Sequence, residues 1–309
     1  MPHSITEPAS PSETDPALRP AGATNDDAAA DGWTPNLFSQ FVSGLRAGLE
    51  AERRDQFRPF GAPPDCLWPA SRVFHEHSKL SPAWMPVLGA EQIEALTRNL
   101  DFKRYPGAVR TRLPQVPPIQ ADLGRVIHAR RSRHDFAPRP VALDQVATLL
   151  SVSCGVTENG AIPRRAAPSA GALYPVETYL VAARVEGLPP GVYHYAALEH
   201  LLEMVRPLDG FEAFRYILPA GLFAAAPPLI VVFSVVFERT QLKYVERGYR
   251  FGLLEAGHIA QNLLLVATAL GMCSVSMGGF MDDPFNALMQ FDTGKEAVVY
   301  GVLVGYHEE

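Results

Sequence analysis

The chain has 309 residues, 47% of them apolar, and a formal net charge of −6 at pH 7. That length permits one large domain or two small ones with a sizeable core. The acidic balance argues against the broad basic field of a general nucleic-acid binder, while leaving room for a local basic pocket that takes one phosphate. Cys66, Cys154 and Cys273 are widely spaced and make no metal-ligand pattern with histidine, so they are read as buried small apolar residues in a reducing, cytoplasmic compartment. No basic start followed by an apolar core marks a secretory signal.

Residues 1–31 are rich in Ala, Pro, Ser and Asp, and they are expected to stay disordered because they bury too little apolar surface to offset ordering entropy. Over 34–56, Leu37, Phe41, Leu45 and Leu49 recur at a spacing of four, which predicts a helix. "GAPPD" (61–65) breaks the chain, and a further helix is expected near 90–100. The Pro- and Arg-rich run 104–118 reads as a connector. The organisation is therefore a tail (1–31), an N-terminal helical extension with its connector (32–120) and a main domain (121–309).

A short helix is expected over 122–131. A second, over 142–155, ends at Gly155 with Asp144 as its N-cap. "VETYLVAARV" (176–185) and "PLIVVFSVVF" (228–237) read as strands, and 191–205 as a hairpin. The run 251–270 is long enough to span a bilayer, but Glu255, His258, Gln261 and Asn262 would be costly there, so it reads as a buried helix of a protein with no membrane segment. The turn "SMGGF" (276–280), a short helix capped at Asp282 or Asp283 and a strand over 296–306 complete the chain. Strands and helices interleave without regular βαβ repetition, which predicts an α+β fold.

Three stretches carry possible chemistry. In "HARRSRHDF" (128–136), Arg130, Arg131 and Ser132 stand at a helix-to-loop boundary, and arginine forks with a hydroxyl suit a phosphate. The competing reading is a solvated basic turn. In "PSAGALYP" (168–175), small side chains let a flat ligand approach the backbone closely; an ordinary turn is the alternative. "SMGGF" offers a second such approach at Gly278 and Gly279. Dinucleotide, Walker A, GxSxG and HExxH fingerprints are absent. A phosphate seat with two small-residue loops points to a flat cofactor with a single phosphate, such as FMN. Between the strand at 228–237 and the apolar run at 251–270, "QLKYVERGYR" (241–250) is either a solvated connection or a source of proton-transfer groups.

These stretches, with "GVYHY", "LKYVERGYRFGLLEAGHIAQNLLLVATALG" and "FHEHSKL" (74–80), resemble the FMN-dependent nitroreductase superfamily over about 70–308. The closer resemblance is to its SagB-type branch, which includes the azoline dehydrogenases of peptide modification. The resemblance implies a nitroreductase-like fold: a mixed, mainly antiparallel five-stranded sheet flanked by helices, in an intertwined homodimer with FMN at the subunit interface. Arg130, Arg131 and Ser132 would hold the FMN phosphate and ribityl chain. Pro168, Ser169 and Ala170 would border the isoalloxazine from one subunit, and Gly278 and Gly279 from the other. Gln261 and Asn262 would lie in the interface helix.

The branch places acid–base chemistry on a Lys-Tyr pair, matched here by Lys243 and Tyr244. Free lysine and tyrosine titrate near about 10, so the pair would need its surroundings to exchange a proton with substrate while FMN takes a hydride. The expected function is oxidation of a peptide or peptide-like natural product, azoline to azole, beside a cyclodehydratase partner. A flavin-containing scaffold and an NAD(P)H-dependent nitro or quinone reductase are the alternatives. Two departures from the pattern stand out. His134 occupies the basic position two after the serine, and the final "GYHEE" is not basic, so Arg250 or Arg247 is expected to complete the phosphate seat. His75, Glu76, His77, His194 and His258 read as structural.

Overall fold

The structure, a computed structural model, describes residues 70–79, 91, 102–160, 162–209, 214, 217–218 and 226–307. All lie in one compact unit, Gln56–Glu309. The tail at 1–31, the helix expected over 34–56, all but Glu91 of the one expected near 90–100, and Cys66 lie outside the described residues.

Helix α1 (Ala70–His77) precedes a short strand β1 (Arg110–Arg112) that rises from the connector. Helices α2 (Leu123–Ala129) and α3 (Leu143–Cys154) follow, then a small ribbon of β2 (Val156–Glu158) and β3 (Arg164–Arg165). The body of the sheet comes from β4 (Val176–Ala182), β5 (Gly191–Ala196), β6 (Leu201–Pro207) and β7 (Leu229–Val236). After β7 come α4 (Phe237–Tyr244), α5 (Arg247–Ala269), β8 (Cys273–Met277), α6 (Asp282–Met289) and β9 (Glu296–Gly305).

The sheet runs β1-β6-β5-β4-β7-β9-β8, with every neighbouring pair antiparallel. Parallel pairing survives only in isolated bridges, Ser132 with Ser274 and Val141 with Val185. The α+β, mainly antiparallel expectation holds, and the sheet carries seven strands instead of five. The additional strands are β1, three residues of an Arg-rich connector, and β8, whose five residues lead directly into the SMGGF turn. Both edges are too short to give a periodic signal.

Helices cover both faces of the sheet, so its central strands read as continuous apolar runs instead of alternating ones. Alternate residues of β4 and β7 serve two cores. Leu180, Val231 and Phe233 pack with residues of α3 and α5, while Tyr179, Ile230 and Val232 pack with Phe285 and Met289 of α6. Helix α5 seats closely on β7 because Gly252 brings its backbone there; a Cβ at that position would stand 2.7 Å from a Val235 methyl. Among the described residues, no helix is long and apolar enough to cross a membrane.

Two expected caps differ. Ala142 is the N-cap of α3, and Asp144 sits in its first turn, where its carboxylate accepts the Gln145 N–H at 2.7 Å. Met281 caps α6, with Asp282 and Asp283 in the first turn. In both helices the carboxylates face the positive end of the helix dipole without making the capping bond. The buried thiols of Cys154 and Cys273 are raised by desolvation.

Candidate active site

"QLKYVERGYR" is a helix, a kink and a second helix. Helix α4 begins directly after β7 and ends in the turn that carries Lys243 and Tyr244. Val245 then takes φ 50° and ψ −136°, a conformation costly for a β-branched residue. The chain re-enters helix at Arg247. Gly248 permits the tight junction, since a Cβ there would lie 2.7 Å from the Thr240 carbonyl carbon. Buried Thr240 donates its hydroxyl to the Gly248 carbonyl at 3.0 Å and locks the two helices together.

The kink aims Lys243 and Tyr244 at the PSAGALYP loop. At Gly171 (φ 64°), a Cβ would stand 2.7 Å from the Tyr244 hydroxyl and 2.8 Å from Lys243 Nζ. Both polar heads thus rest against bare backbone two residues from Ser169. Lys243 Nζ lies 5.4 Å from the centroid of the Tyr244 ring, which meets Phe251 edge-on at 4.9 Å.

The loop is braced from behind. The Ser169 hydroxyl oxygen accepts the Tyr174 N–H at 2.9 Å. Arg239, one turn before Lys243 on α4, donates to the Tyr174 carbonyl at 2.7 Å and to Glu177 at 2.6 Å. Glu177 also meets His194 Nε2 at 3.0 Å, and His194 Nδ1 meets Glu203 at 3.2 Å. Burial alone would raise the Glu177 carboxyl, but the His194 hydrogen bond and the Arg239 guanidinium hold it at about 2. His194, read from sequence as structural, is therefore the buried link between two carboxylates.

On α5, Glu255 is 3% exposed and faces the same loop. Burial pushes its carboxyl up to about 7, against the Ser169 hydroxyl, Arg165, the Val176 N–H and Arg239, which pull it down. Its Oε2 has no hydrogen-bond partner among the described residues. Sequence reasoning singled out neither Arg239, Glu177 nor the role of Glu255. The available signals were an acid inside a strand-like run and another inside an apolar helix.

A second group of residues gathers along β8. Ser132 bridges to Ser274, and the Arg133 N–H bonds the Ser274 carbonyl at 3.2 Å. Gly278 and Gly279 follow the far end of the same strand, so the basic segment and the double glycine share one element, roughly 13 Å apart at strand rise. Arg131 bonds only the His128 and Arg130 carbonyls, at 2.7 and 2.9 Å, and Arg130 approaches Ser132 Oγ at 3.5 Å. No carboxylate pairs with Arg130, Arg131 or Arg133 among the described residues, which leaves their charge available to an anion. Gly279 has open space where a Cβ would stand. Among the described residues, those named in this group and those around Gly171 make no hydrogen bond, ion pair or ring contact with one another.

Arg250 is placed elsewhere. Its Nε donates to Ser78 at 2.8 Å and its Nη2 to the His75 carbonyl at 2.6 Å, and the guanidinium lies 5.6 Å from the Phe74 ring. Tyr249 meets Phe74 edge-on at 5.3 Å and stacks with Phe237 at 5.4 Å. Together they dock the FHEHSK segment at the start of α5. Asn262 donates to the Ser153 carbonyl at 3.2 Å, while Gln261 and His258 are exposed on α5.

The antiparallel sheet, the long helix against it, the uncompensated arginines and the two small-residue loops define the nitroreductase class of α+β protein. A family model described as the nitroreductase family matches residues 127–306, and the chain belongs to that family. Members of the family bind FMN. The chain is 34% identical over 180 residues to the Methanocaldococcus jannaschii protein MJ1384, named as a nitroreductase, covering 58% of this chain and 88% of that one. It is 34% identical over 134 residues to the microcin B17-processing protein McbC of Escherichia coli, covering 42% of this chain and 49% of that one. A chain of the E. coli microcin synthetase McbBCD complex with truncated pro-MccB17 bound superposes with a TM-score of 0.53 at 22% identity, over 90% of this chain and 98% of that one.

Proposed function

We propose that this protein is an FMN-dependent dehydrogenase of a peptide or peptide-like natural product, oxidising an azoline to an azole as a SagB-type enzyme. The observation that carries the reading is the convergence of Lys243 Nζ and the Tyr244 hydroxyl on the bare backbone at Gly171. The similarity to a protein named for processing microcin B17 supports a peptide substrate. A cyclodehydratase partner belongs to the same reading.

The residues present fit FMN. Arg130, Arg131 and Ser132 would hold its phosphate, Pro168, Ser169 and Ala170 would border its ring, and Gly278 and Gly279 would admit its ring edge without a Cβ in the way. When bound, FMN supplies the hydride-accepting centre. The ammonium of Lys243 favours the phenolate of Tyr244, which takes the substrate proton and becomes the neutral phenol. The two groups of site residues are completed across a homodimer. The exposed Leu253 and Leu254 and an apolar groove of about 270 Å³ along Ala256, Gly257, Ala260 and Gln261 support α5 as its interface. In this reading residues 121–309 are the catalytic domain, 32–120 are an extension, and the protein works in the cytoplasm.

The test is to load purified protein with FMN, add an azoline-bearing peptide in air and follow its mass. Loss of two hydrogens in wild type, abolished in Tyr244→Phe with flavin retained, is expected. A protein that gains no flavin absorbance sinks the reading. Quinone-dependent NAD(P)H oxidation that Tyr244→Phe leaves intact would favour a plain reductase instead.

A further inference from the structure

The PSAGALYP loop is held in a costly shape. Gly171, Ala172 and Tyr174 take φ of 64°, 53° and 44°. Left-handed backbone suits the glycine, but Ala172 and Tyr174 adopt it against the preference of their side chains. Such residues persist only where their surroundings over-determine them. The Tyr174 backbone is fixed on both sides, its N–H by Ser169 and its carbonyl by Arg239. Its buried ring meets the Arg165 guanidinium at 5.4 Å. The same ring stacks with Phe102, at 6.5 Å between centroids and 30° between planes. Phe102 comes from the segment before the connector, outside the domain assigned to 121–309.

The residues after Phe102 fasten it in place. Lys103 pairs with Glu296 at the start of β9 and lies over the rings of Tyr105, Tyr179 and Phe291, at 5.3, 5.5 and 4.8 Å. Glu296 also accepts the Ser234 hydroxyl at 2.6 Å and the Tyr179 hydroxyl at 3.1 Å, so its anchor is buried in the sheet. Arg104 forks onto Glu199 in the β5–β6 turn, with both distances 2.5 Å. Tyr105 donates its N–H to Glu203 of β6 at 3.1 Å, and its hydroxyl meets that of Tyr179 at 3.0 Å. Three consecutive residues are thus tied to three acids of the sheet. Phe102 is the next residue along, so its ring docks on Tyr174 with little further loss of chain entropy.

We propose that Phe102 is a positioning residue of the site. By packing on the Tyr174 ring, it keeps the loop in the left-handed shape that sets the Gly171 backbone against Lys243 Nζ and the Tyr244 hydroxyl. Residues 102–112, counted above with the extension, therefore work as part of the catalytic unit. The effect on turnover rests on the dehydrogenase reading, whereas the hold on the loop does not. Without the Phe102 ring, Tyr174 loses its stacking partner and the loop relaxes toward backbone that its side chains prefer.

Amide hydrogen exchange on the full chain, resolved by residue and without added flavin, tests the hold. The Tyr174 N–H is protected by the Ser169 hydroxyl and the Ala172 N–H by the Ser169 carbonyl at 3.1 Å. Phe102→Ala should speed exchange at both by about fivefold, the size of one aromatic pair, and leave the amides of β4 and β7 unchanged. Phe102→Tyr should restore the wild-type rates. Phe102→Leu keeps apolar bulk without a ring; it should also exchange faster than wild type, and it decides the case if Phe102→Ala does not fold. With FMN and the azoline peptide, the ringless variants should lose about fivefold or more in kcat with KM within about twofold, and Phe102→Tyr should recover. Unchanged exchange at Ala172 and Tyr174, a uniform rise across the sheet, or faster exchange with kcat intact overturns the proposal. A wild type that binds no flavin overturns the dehydrogenase reading, and the exchange result alone then decides whether Phe102 holds the loop.

Discussion

Tyr244 holds its hydroxyl 2.7 Å from the point where a Cβ on Gly171 would stand, although 73 positions in the chain separate the two residues. Lys243 Nζ is at 2.8 Å from the same point. The absence of one side chain thus makes room for two polar heads. Gly171→Ala should cost about 1 kcal/mol in stability, because an L-residue is placed at positive φ. The added methyl meets only the ends of flexible side chains, so the protein should fold. Turnover should fall by at least about tenfold, since displaced acid–base groups lose their alignment. Thermal denaturation beside steady-state turnover separates the two effects; unchanged turnover would remove Gly171 from the site.

Glu177 carries a depressed pKa, and its stabilisation should fade in acid. The carboxyl is held down to about 2 in the folded protein against an ordinary 4.5. Its contribution is complete above pH 4.5 and is lost as pH falls toward 2. The size is about 3 kcal/mol. Urea denaturation across this window should show the loss in wild type and a flatter curve in Glu177→Gln. At neutral pH, Arg239→Met should cost about 2 kcal/mol, as a charge-assisted bond is removed. It should also lower turnover, because Arg239 ties the Lys243 helix to the loop.

Glu255 should have the opposite sign. Its carboxyl rises from 4.5 to about 7 on folding, so the native state holds a proton that the unfolded chain releases. Stability is then greatest below pH 4.5 and declines as pH rises through 7, by about 3 kcal/mol for this group alone. Glu255→Gln should remove that decline and be more stable than wild type at pH 8. Chemical denaturation at several pH values checks the sign. A wild-type curve with the same slope as the variant would show that Glu255 is not the group responsible.

Arg250 offers a contrast with the arginines at the start of the domain. Arg250→Ala should release α1, accelerating limited proteolysis within residues 70–79, at a cost of about 1–2 kcal/mol. FMN affinity should change by less than about threefold. Arg131→Ala, which removes a fork with no carboxylate partner, should weaken FMN by about tenfold or more and spare riboflavin. Equal losses of FMN affinity in the two variants would return Arg250 to the phosphate seat.

The secondary structure was largely legible wherever burial dictates residue type over a long span. Strands β4 and β7 and the second half of β9 lie buried on both faces, and their apolar runs showed it. The hairpin of β5 and β6 was visible from its tyrosines and the turn between them. What escaped notice was short or dictated by neighbours. Three residues of β1 and five of β8 are too few to show a period. The kink at Val245 uses a residue whose local preference opposes the conformation it adopts, so only the packing of Thr240 on Gly248 explains it.

From the amino acids alone came the α+β class, the arginine-serine segment and the two small-residue loops, because pattern and local composition carry them, while the Lys-Tyr pair came from the family resemblance. Only the tertiary structure decided which of them meet. It set Lys243 and Tyr244 on Gly171, joined Ser132 to the strand that leads to Gly278, and drew Arg250 to Ser78. It also placed two buried acids behind one loop with opposite shifts. Glu177 is ionised because His194 and Arg239 come to it from other elements; Glu255 is raised because no partner compensates its burial. A carboxyl's environment is assembled from residues far apart in the chain, so its protonation is a property of the fold and not of the residue.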